Sequence, residues 1–149
     1  MLARTQKIFE LMRSMKAAET WGDETAITAL LTVSEQAYFW NPSAEEFDEW
    51  NAHWLNTPVA IRTSAAMICP QWELGSMYDA IRGAEYDLVG IFEESGKHFL
   101  AFNPHAYPYG GISSLVAFLE CFGHKVLGYD DGTGYASHQA RELWKSGFS

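Results

Sequence analysis

Residues 85–129 read EYDLVGIFEESGKHFLAFNPHAYPYGGISSLVAFLECFGHKVLGY, and this stretch decides the fold. It contains an alternating apolar segment, a turn, a second apolar segment, a loop rich in Pro and Gly, an amphipathic segment and a third apolar segment. This order predicts strand, strand, helix and strand. Residues 94–97, Glu-Ser-Gly-Lys, form a good hairpin connection between the first two strands. Gly123 is suited to end the helix.

The first two predicted strands, residues 85–92 and 98–102, are apolar on both faces. This pattern predicts a central position covered by helices on each side. With residues 125–129 they predict a small, mainly antiparallel sheet of three to four strands, crossed by a helix at 112–122. A C-terminal helix is predicted for residues 137–146.

Three helices are predicted before this stretch and are expected to pack on the sheet. The first covers residues 1–20, where apolar residues recur at helical spacing. The second begins after Asp23 and ends at Asn41-Pro42. The third begins at Ser43, which has Glu46 three residues later as in a capping box.

The segment between the third helix and the first strand is less clearly marked. Residues 59–69 are largely apolar, and periodicity does not separate a buried strand from a short helix there. Pro70 suits the first position of a further helix, which Gly83 would end. Together, these elements predict a single globular α+β domain over residues 1–149.

Composition limits the classes of function. The chain has 149 residues, of which 48% are hydrophobic, so it has enough apolar material for one core. Its formal net charge of −9 disfavours direct nucleic-acid binding and anionic membrane surfaces, which both require clustered Lys and Arg. We see no signal peptide or membrane span, and expect an intracellular, cytoplasmic protein with reduced cysteines.

A strongly acidic segment is the first candidate for a binding surface. Between residues 17 and 61 there is no Lys or Arg, and four of the six tryptophans lie there. The carboxylates of this segment are Glu19, Asp23, Glu24, Glu35, Glu45, Glu46, Asp48 and Glu49.

This segment has two interpretations. In the first, Glu45, Glu46, Asp48 and Glu49 attract a basic protein partner that Trp50 and Trp54 anchor, as in a small acidic inhibitor. In the second, Phe47, Trp50 and Trp54 form the buried stripe of a helix, and the carboxylates are its solvated face.

The loop at residues 105–111, His-Ala-Tyr-Pro-Tyr-Gly-Gly, is a second candidate for binding. It leads into a predicted helix, whose N-terminus favours an anion or a polar ligand. Tyr107 and Tyr109 offer rigid contact area. The alternative is a loop that proline stiffens and that its own aromatic residues pack.

Thiol chemistry is the alternative function. Cys69, directly before a helix at Pro70, would have its thiolate favoured by the helix dipole. His98 or His105 is then the candidate base, and Asn103 the group that orients it.

Strand, turn, strand, Phe102-Asn103-Pro104 and helix resembles the middle of several cysteine-peptidase families. The resemblance covers about a quarter of the chain. It implies a small papain-like hydrolase, or an inactive relative of one. In those families a histidine usually begins the preceding strand, where this chain has Tyr86 and Asp87.

No metal or cofactor is expected. Cys121 and His124 have CxxH spacing, but a structural zinc site needs a second pair of ligands. Residues 130–134, Asp-Asp-Gly-Thr-Gly, lack the alternating oxygen ligands of a calcium loop and the Lys of a phosphate loop. We therefore predict a solvated turn at 130–134 and an apolar packing role for Cys121.

Overall fold

A computed structural model describes the fold of residues 1–22, 24–64, 67–105 and 111–138. Helices lie before and after a long β-hairpin, and a short hairpin follows. The elements are α1 (Leu2–Ala18), α2 (Glu24–Leu30), α3 (Val33–Gln36), α4 (Ala44–Asn56), α5 (Val59–Arg62), α6 (Leu74–Gly83), β1 (Tyr86–Glu94), β2 (Lys97–Pro104), α7 (Gly111–Cys121), β3 (Gly128–Asp130) and β4 (Tyr135–Ser137). The α+β class is therefore confirmed.

The core lies where α1, α6 and α7 meet the beginning of β1. Its largest fully buried side chains include Phe9 of α1, Tyr78 of α6, Tyr86 of β1 and Phe118 of α7. In α1 and α6 the buried residues recur every three or four positions, so each helix buries one face. The predicted helical periodicity is confirmed for these two helices.

Lys16 joins α1 to the end of α6. Its ammonium group donates hydrogen bonds to the carbonyl oxygens of Ile81 (2.9 Å), Arg82 (2.9 Å) and Ala84 (2.8 Å). It also lies 5.2 Å from the ring centroid of Tyr86. Because the last carbonyl groups of a helix have no partner within that helix, this lysine satisfies the end of α6.

The long hairpin of β1 and β2 turns where the sequence predicts. Glu94 pairs with Lys97, and the strands remain antiparallel back to Tyr86 and Pro104. The two turn residues, Ser95 and Gly96, both have positive φ angles, 53° and 77°. Positive φ at both positions is what the type I′ form of a two-residue hairpin turn requires.

The prediction that both strands are buried on both faces is wrong. Tyr86 and Leu88 are buried, but Phe92 is 54% exposed and Phe99 47%. A bulge at Val89 shifts the register between Leu88 and Gly90. The core covers only the beginning of β1, so the hairpin extends beyond it and its apolar residues near the turn meet solvent.

The single sheet of three to four strands is not confirmed. Within the described residues, β3 pairs with β4 in a second two-stranded sheet rather than joining β1 and β2. The turn favours this local pairing, since the Asp130 carboxylate accepts hydrogen bonds from the amides of Gly132 (2.8 Å) and Gly134 (3.2 Å). Closing so short a loop costs little entropy.

The predictions for the last two helices have different outcomes. The helix expected at 112–122 is present as α7, but it packs mainly against α6, so its crossing of the sheet is not confirmed. Ser137, the expected cap of the C-terminal helix, ends β4. Residues 139–146 of that predicted helix lie outside the described residues.

The predicted second helix is divided into α2 and α3. Thr32 begins α3 with a capping box, in which its hydroxyl accepts from the Glu35 amide and the Glu35 carboxylate accepts from the Thr32 amide. The same carboxylate is buried and pairs with Arg4 of α1. Glu35 therefore belongs to an internal ion pair and not to the acidic surface.

The helix predicted to begin at Pro70 begins at Leu74 instead. The preceding residues are held outside the helix, because the Trp72 carbonyl accepts a hydrogen bond of 3.0 Å from the Trp40 amide. Within residues 59–69, the structure contains the short helix α5 and an isolated bridge residue at Cys69.

Candidate functional site

Helix α4 is fixed at its N-terminus by Ser43. The Ser43 hydroxyl oxygen accepts a hydrogen bond of 3.2 Å from the Glu46 amide, as the capping box predicts. The Glu46 carboxylate, however, lies 3.3 Å from the Ser43 hydroxyl, which donates to it. The acidic first turn of α4, with Glu45 and Glu46, is favourable at the positive end of the helix dipole.

Arg62 of α5 fixes the other end of α4. Its guanidinium donates to the carbonyl oxygens of Trp54 (2.9 Å), Thr57 (2.9 Å) and Leu55 (3.0 Å). It also lies over the Trp54 ring, 5.4 Å from the centroid. One side chain thus satisfies the last carbonyl groups of α4 and covers an aromatic ring.

The aromatic side chains of α4 form a cluster outside the core. Trp40 stacks on Phe47, with ring centroids 6.2 Å apart and planes 26° apart. Trp50 lies 6.4 Å from Trp40 and 6.1 Å from Trp54. Trp40, Phe47, Trp50 and Trp54 are called the aromatic cluster below.

The prediction that Phe47, Trp50 and Trp54 form a buried stripe is wrong. No residue of α4 is buried, and Phe47 is 46% exposed. The helical spacing does place these side chains on one face, but that face contacts Trp40 and Arg62 instead of the core. Periodicity shows which residues share a face and not what covers it.

Four exposed carboxylates accompany the aromatic cluster on α4: Glu45, Glu46, Asp48 and Glu49. At 100° per residue, Glu46 borders the aromatic face beside Trp50, whereas Glu45, Asp48 and Glu49 lie on the sides of the helix away from that face. Leu55 and Val59 add exposed apolar area at the end of the helix. The aromatic cluster and these four carboxylates together are called the α4 surface.

The residues of the thiol hypothesis lie in different settings. Cys69 is a free, partly buried thiol, and α6 begins at Leu74, so the expected helix end at Pro70 is absent. His105 lies 2.7 Å from the carboxylate of Asp87, which pairs with Asn103 across the strands. Asn103 and His105 are thus both neighbours of Asp87 at the base of the hairpin.

His98 lies near the hairpin turn, where its ring is 3.6 Å from the Glu93 carboxylate. Seven residues of extended chain separate it from His105, a distance of roughly 23 Å. Within the described residues, neither histidine nor Asn103 is hydrogen-bonded to Cys69. The catalytic role of Cys69 stays a prediction.

Tyr107 and Tyr109, the predicted binding residues of the loop before α7, lie outside the described residues. The other cysteine is well defined: Cys121 is buried in α7, and its thiol donates to the Phe118 carbonyl at 3.1 Å. Burial raises the pKa of this thiol to about 12. Its position in the core agrees with the predicted apolar packing role.

A polar cluster on α7 had no signal in the sequence. Glu120 accepts a hydrogen bond of 2.6 Å from the Tyr38 hydroxyl, and its other oxygen lies 3.1 Å from the His138 ring. Burial and this carboxylate raise the pKa of Tyr38. The three residues are far apart in sequence and follow no motif spacing, so only the fold reveals the cluster. It connects the end of the β3–β4 hairpin to α7.

Comparison of the chain with protein-family models, with curated proteins and with solved structures found no match. Among the described helices, none is long and apolar enough to cross a membrane. The described residues also contain no group of three or more His, Cys, Asp or Glu side chains that could hold a metal ion.

Proposed function

We propose that this chain is a non-enzymatic intracellular binding protein, acting as an inhibitor or regulator, and that it engages a basic macromolecular partner through the α4 surface. The observation that supports this function is the position of α4. Its aromatic residues contribute nothing to the core, although large aromatic side chains are usually placed where they lose contact with water. A partner would cover them, and Trp is among the residues that dominate interface energetics.

The charge of the surface indicates the sign of the partner. Glu45, Glu46, Asp48 and Glu49 are exposed, and no Lys or Arg occurs between residues 17 and 61. At physiological ionic strength, this field extends about 8 Å into the solvent. It therefore accelerates the approach of a basic surface and slows that of an acidic one.

Charge reversal at all four α4 carboxylates tests the function. We expect the immobilised wild-type protein to capture basic proteins from a cell extract, with capture that weakens as salt rises. The variant with Lys at the four positions should lose these proteins, because it presents a positive surface to them. Mass spectrometry of the bound fractions measures the difference.

The matched control reverses four exposed carboxylates elsewhere: Glu10, Asp79, Glu93 and Glu94. Both variants have the same net charge, so a general charge effect would act on them equally. The control should keep the partners of the wild-type protein. Equal capture by the α4 variant and the wild-type protein would rule out the α4 surface as the binding site.

A further inference from the structure

The bulge at Val89 decides which face of the long hairpin its phenylalanines occupy. As far as Leu88, every second residue of β1 is buried in the core. The bulge adds one residue to β1 only, so the alternation of faces is reversed beyond it. Ile91 therefore packs against the core, and Phe92 lies on the opposite, outer face of the hairpin.

Phe92 and its cross-strand partner Phe99 make this outer face apolar. The two side chains are 54% and 47% exposed. The Phe92 ring lies back over Gly90, since a Cβ atom added to Gly90 would be 2.9 Å from that ring. Gly90 pairs in turn with Ala101, another small residue. Gly90, Phe92, Phe99 and Ala101 are called the hairpin face below.

Two opposite charges border the hairpin face at the turn. Glu94 pairs across the strands with Lys97, and each lies two residues beyond a phenylalanine, so both share the outer face. Among the described residues, neither forms an ion pair with another side chain. Each strand therefore presents one ring and one charge, and the charges on the two strands have opposite sign.

We propose that two copies of this chain associate through the hairpin face. With a two-fold axis parallel to the strands, β1 of each copy lies over β2 of the other. Glu94 of each copy then meets Lys97 of the other, and Phe92 of each copy meets Phe99 of the other. The surface is thus complementary to itself, which is what a two-fold dimer requires.

The charges also distinguish between the two ways of packing these faces. A two-fold axis across the strands, centred on the same rings, would place Glu94 over Gly90 and Lys97 over Ala101. Neither charge has a partner there. The axis parallel to the strands pairs both, and it keeps the strands aligned as in packed sheets about 10 Å apart. The association uses residues outside the α4 surface, so it is independent of the proposed function.

The size of this interface predicts a weak dimer. A phenylalanine buries about 150–250 Å² when it is covered, so two half-exposed rings offer roughly 200 Å² per copy. With the stems of Glu94 and Lys97, the two copies bury roughly 600–800 Å² in total, which is below the ~1,200 Å² at which stable interfaces begin. The net charge of −9 on each copy also opposes association. We expect a dissociation constant on the order of 0.1–1 mM.

Sedimentation equilibrium of the full chain at about 0.15 M salt, up to protein concentrations of about 1 mM, measures this constant. The variant with Phe92→Thr and Phe99→Thr keeps residues that suit a strand but removes both rings. Its dissociation constant should rise at least about tenfold. The control, Leu55→Gln with Val59→Thr, removes apolar side chains that are 71% and 74% exposed elsewhere, and should associate like the wild-type protein.

Exchange of the two charges tests which residues meet. Glu94→Lys places lysine against lysine in the dimer, and Lys97→Glu places glutamate against glutamate, so each variant alone should associate about tenfold more weakly. An equimolar mixture of the two variants should recover wild-type affinity, because both lysines of one copy then meet glutamates of the other. Circular dichroism checks that each variant is folded.

Three results would overturn the inference. A wild-type protein that remains monomeric over the whole concentration range has no such interface. Equal association of the Thr variant and the wild-type protein would place the interface elsewhere. Failure of the mixed charge variants to recover affinity would show that Glu94 and Lys97 of different copies do not meet.

Discussion

Replacing Arg62 with Met should loosen α4 without unfolding the protein. The substitution keeps an unbranched apolar side chain but removes the charge and the three hydrogen bonds to the end of α4. A helix of 13 residues is marginal in water by itself, and no residue of α4 is buried. The contacts of Arg62 are therefore a large part of what keeps this helix folded.

The magnitude follows from these contacts. A hydrogen bond to a charged group contributes about 1.5–3 kcal/mol to stability. Water can replace the guanidinium at these partly exposed carbonyl groups, so we take about 1.5–3 kcal/mol as the total contribution of the three hydrogen bonds. Each 1.4 kcal/mol is a factor of ten in an opening equilibrium, so the amides of α4 should exchange roughly ten- to hundredfold faster.

Amide hydrogen exchange, followed by NMR, is the assay. Amides of α4 such as that of Trp54 should lose protection, whereas those of α6 and α7 should not change. The urea midpoint of global unfolding should also stay close to that of the wild-type protein. Arg13→Met is the control, because Arg13 forms only an exposed pair with Glu10 in the described structure.

Two results would contradict this reasoning. Unchanged exchange in α4 would show that Arg62 does not stabilise the helix. An equal loss of protection in α4 and α7 would show that α4 opens only with the core, despite its exposed side chains.

Three further predictions concern the core. Lys16→Met should lower the free energy of unfolding, measured in urea, by about 1.5–3 kcal/mol. The control, Lys7→Met on an exposed face, should leave this free energy nearly unchanged. Equal effects of the two substitutions would show that Lys16 does not stabilise the end of α6. The guanidinium paired with Glu35 holds the pKa of this carboxyl below its reference value of 4.5, so its stabilisation is complete above pH 4.5 and is lost as pH falls through the lowered pKa. Glu35→Gln should accordingly flatten the acid side of a plot of unfolding free energy against pH, and an unchanged slope would contradict this. Cys121, left alone in a Cys69→Ser variant, should react with iodoacetamide only after unfolding in urea, since burial raises its pKa to about 12; rapid labelling of the native protein would contradict its burial.

Local signals in the sequence predicted several elements well. The turn at Ser95-Gly96 was located correctly because glycine adopts positive φ without a steric cost, and nothing distant is needed to form the turn. Ser43 likewise begins α4 through a contact with Glu46, only three residues away. Helical periodicity located α1 and α7 for the same reason.

Long-range contacts explain what the sequence could not predict. The Trp40 amide bonds to Trp72, which keeps the residues after Pro70 out of α6 and removes the helix end expected beside Cys69. The aromatic face of α4 has the spacing of a buried stripe, but the core is filled by α1, α6 and α7. Which apolar face is buried depends on the whole fold and not on the pattern of one helix.

For the candidate site, the residue types were predictable from the sequence, but their contacts in the fold were not. The four carboxylates and the tryptophans of α4 are evident in the sequence, but Arg62 lies beyond the acidic segment and has no motif that connects it to Trp54. The pairing of Glu35 with Arg4, across 31 residues, removes one carboxylate from that segment.

The short separation between α4 and Arg62 also has a consequence for synthesis on the ribosome. Arg62 follows Trp54 by 8 residues, so the contacts of Arg62 with α4 can form soon after α4 emerges. The buried face of α1 must instead wait for α6, whose Ile81 carbonyl lies 65 residues after Lys16. We expect that, in stalled nascent chains that end between Arg62 and α6, α4 is protected from protease while α1 is still cleaved. If so, the helix of the α4 surface folds while the protein is still being translated.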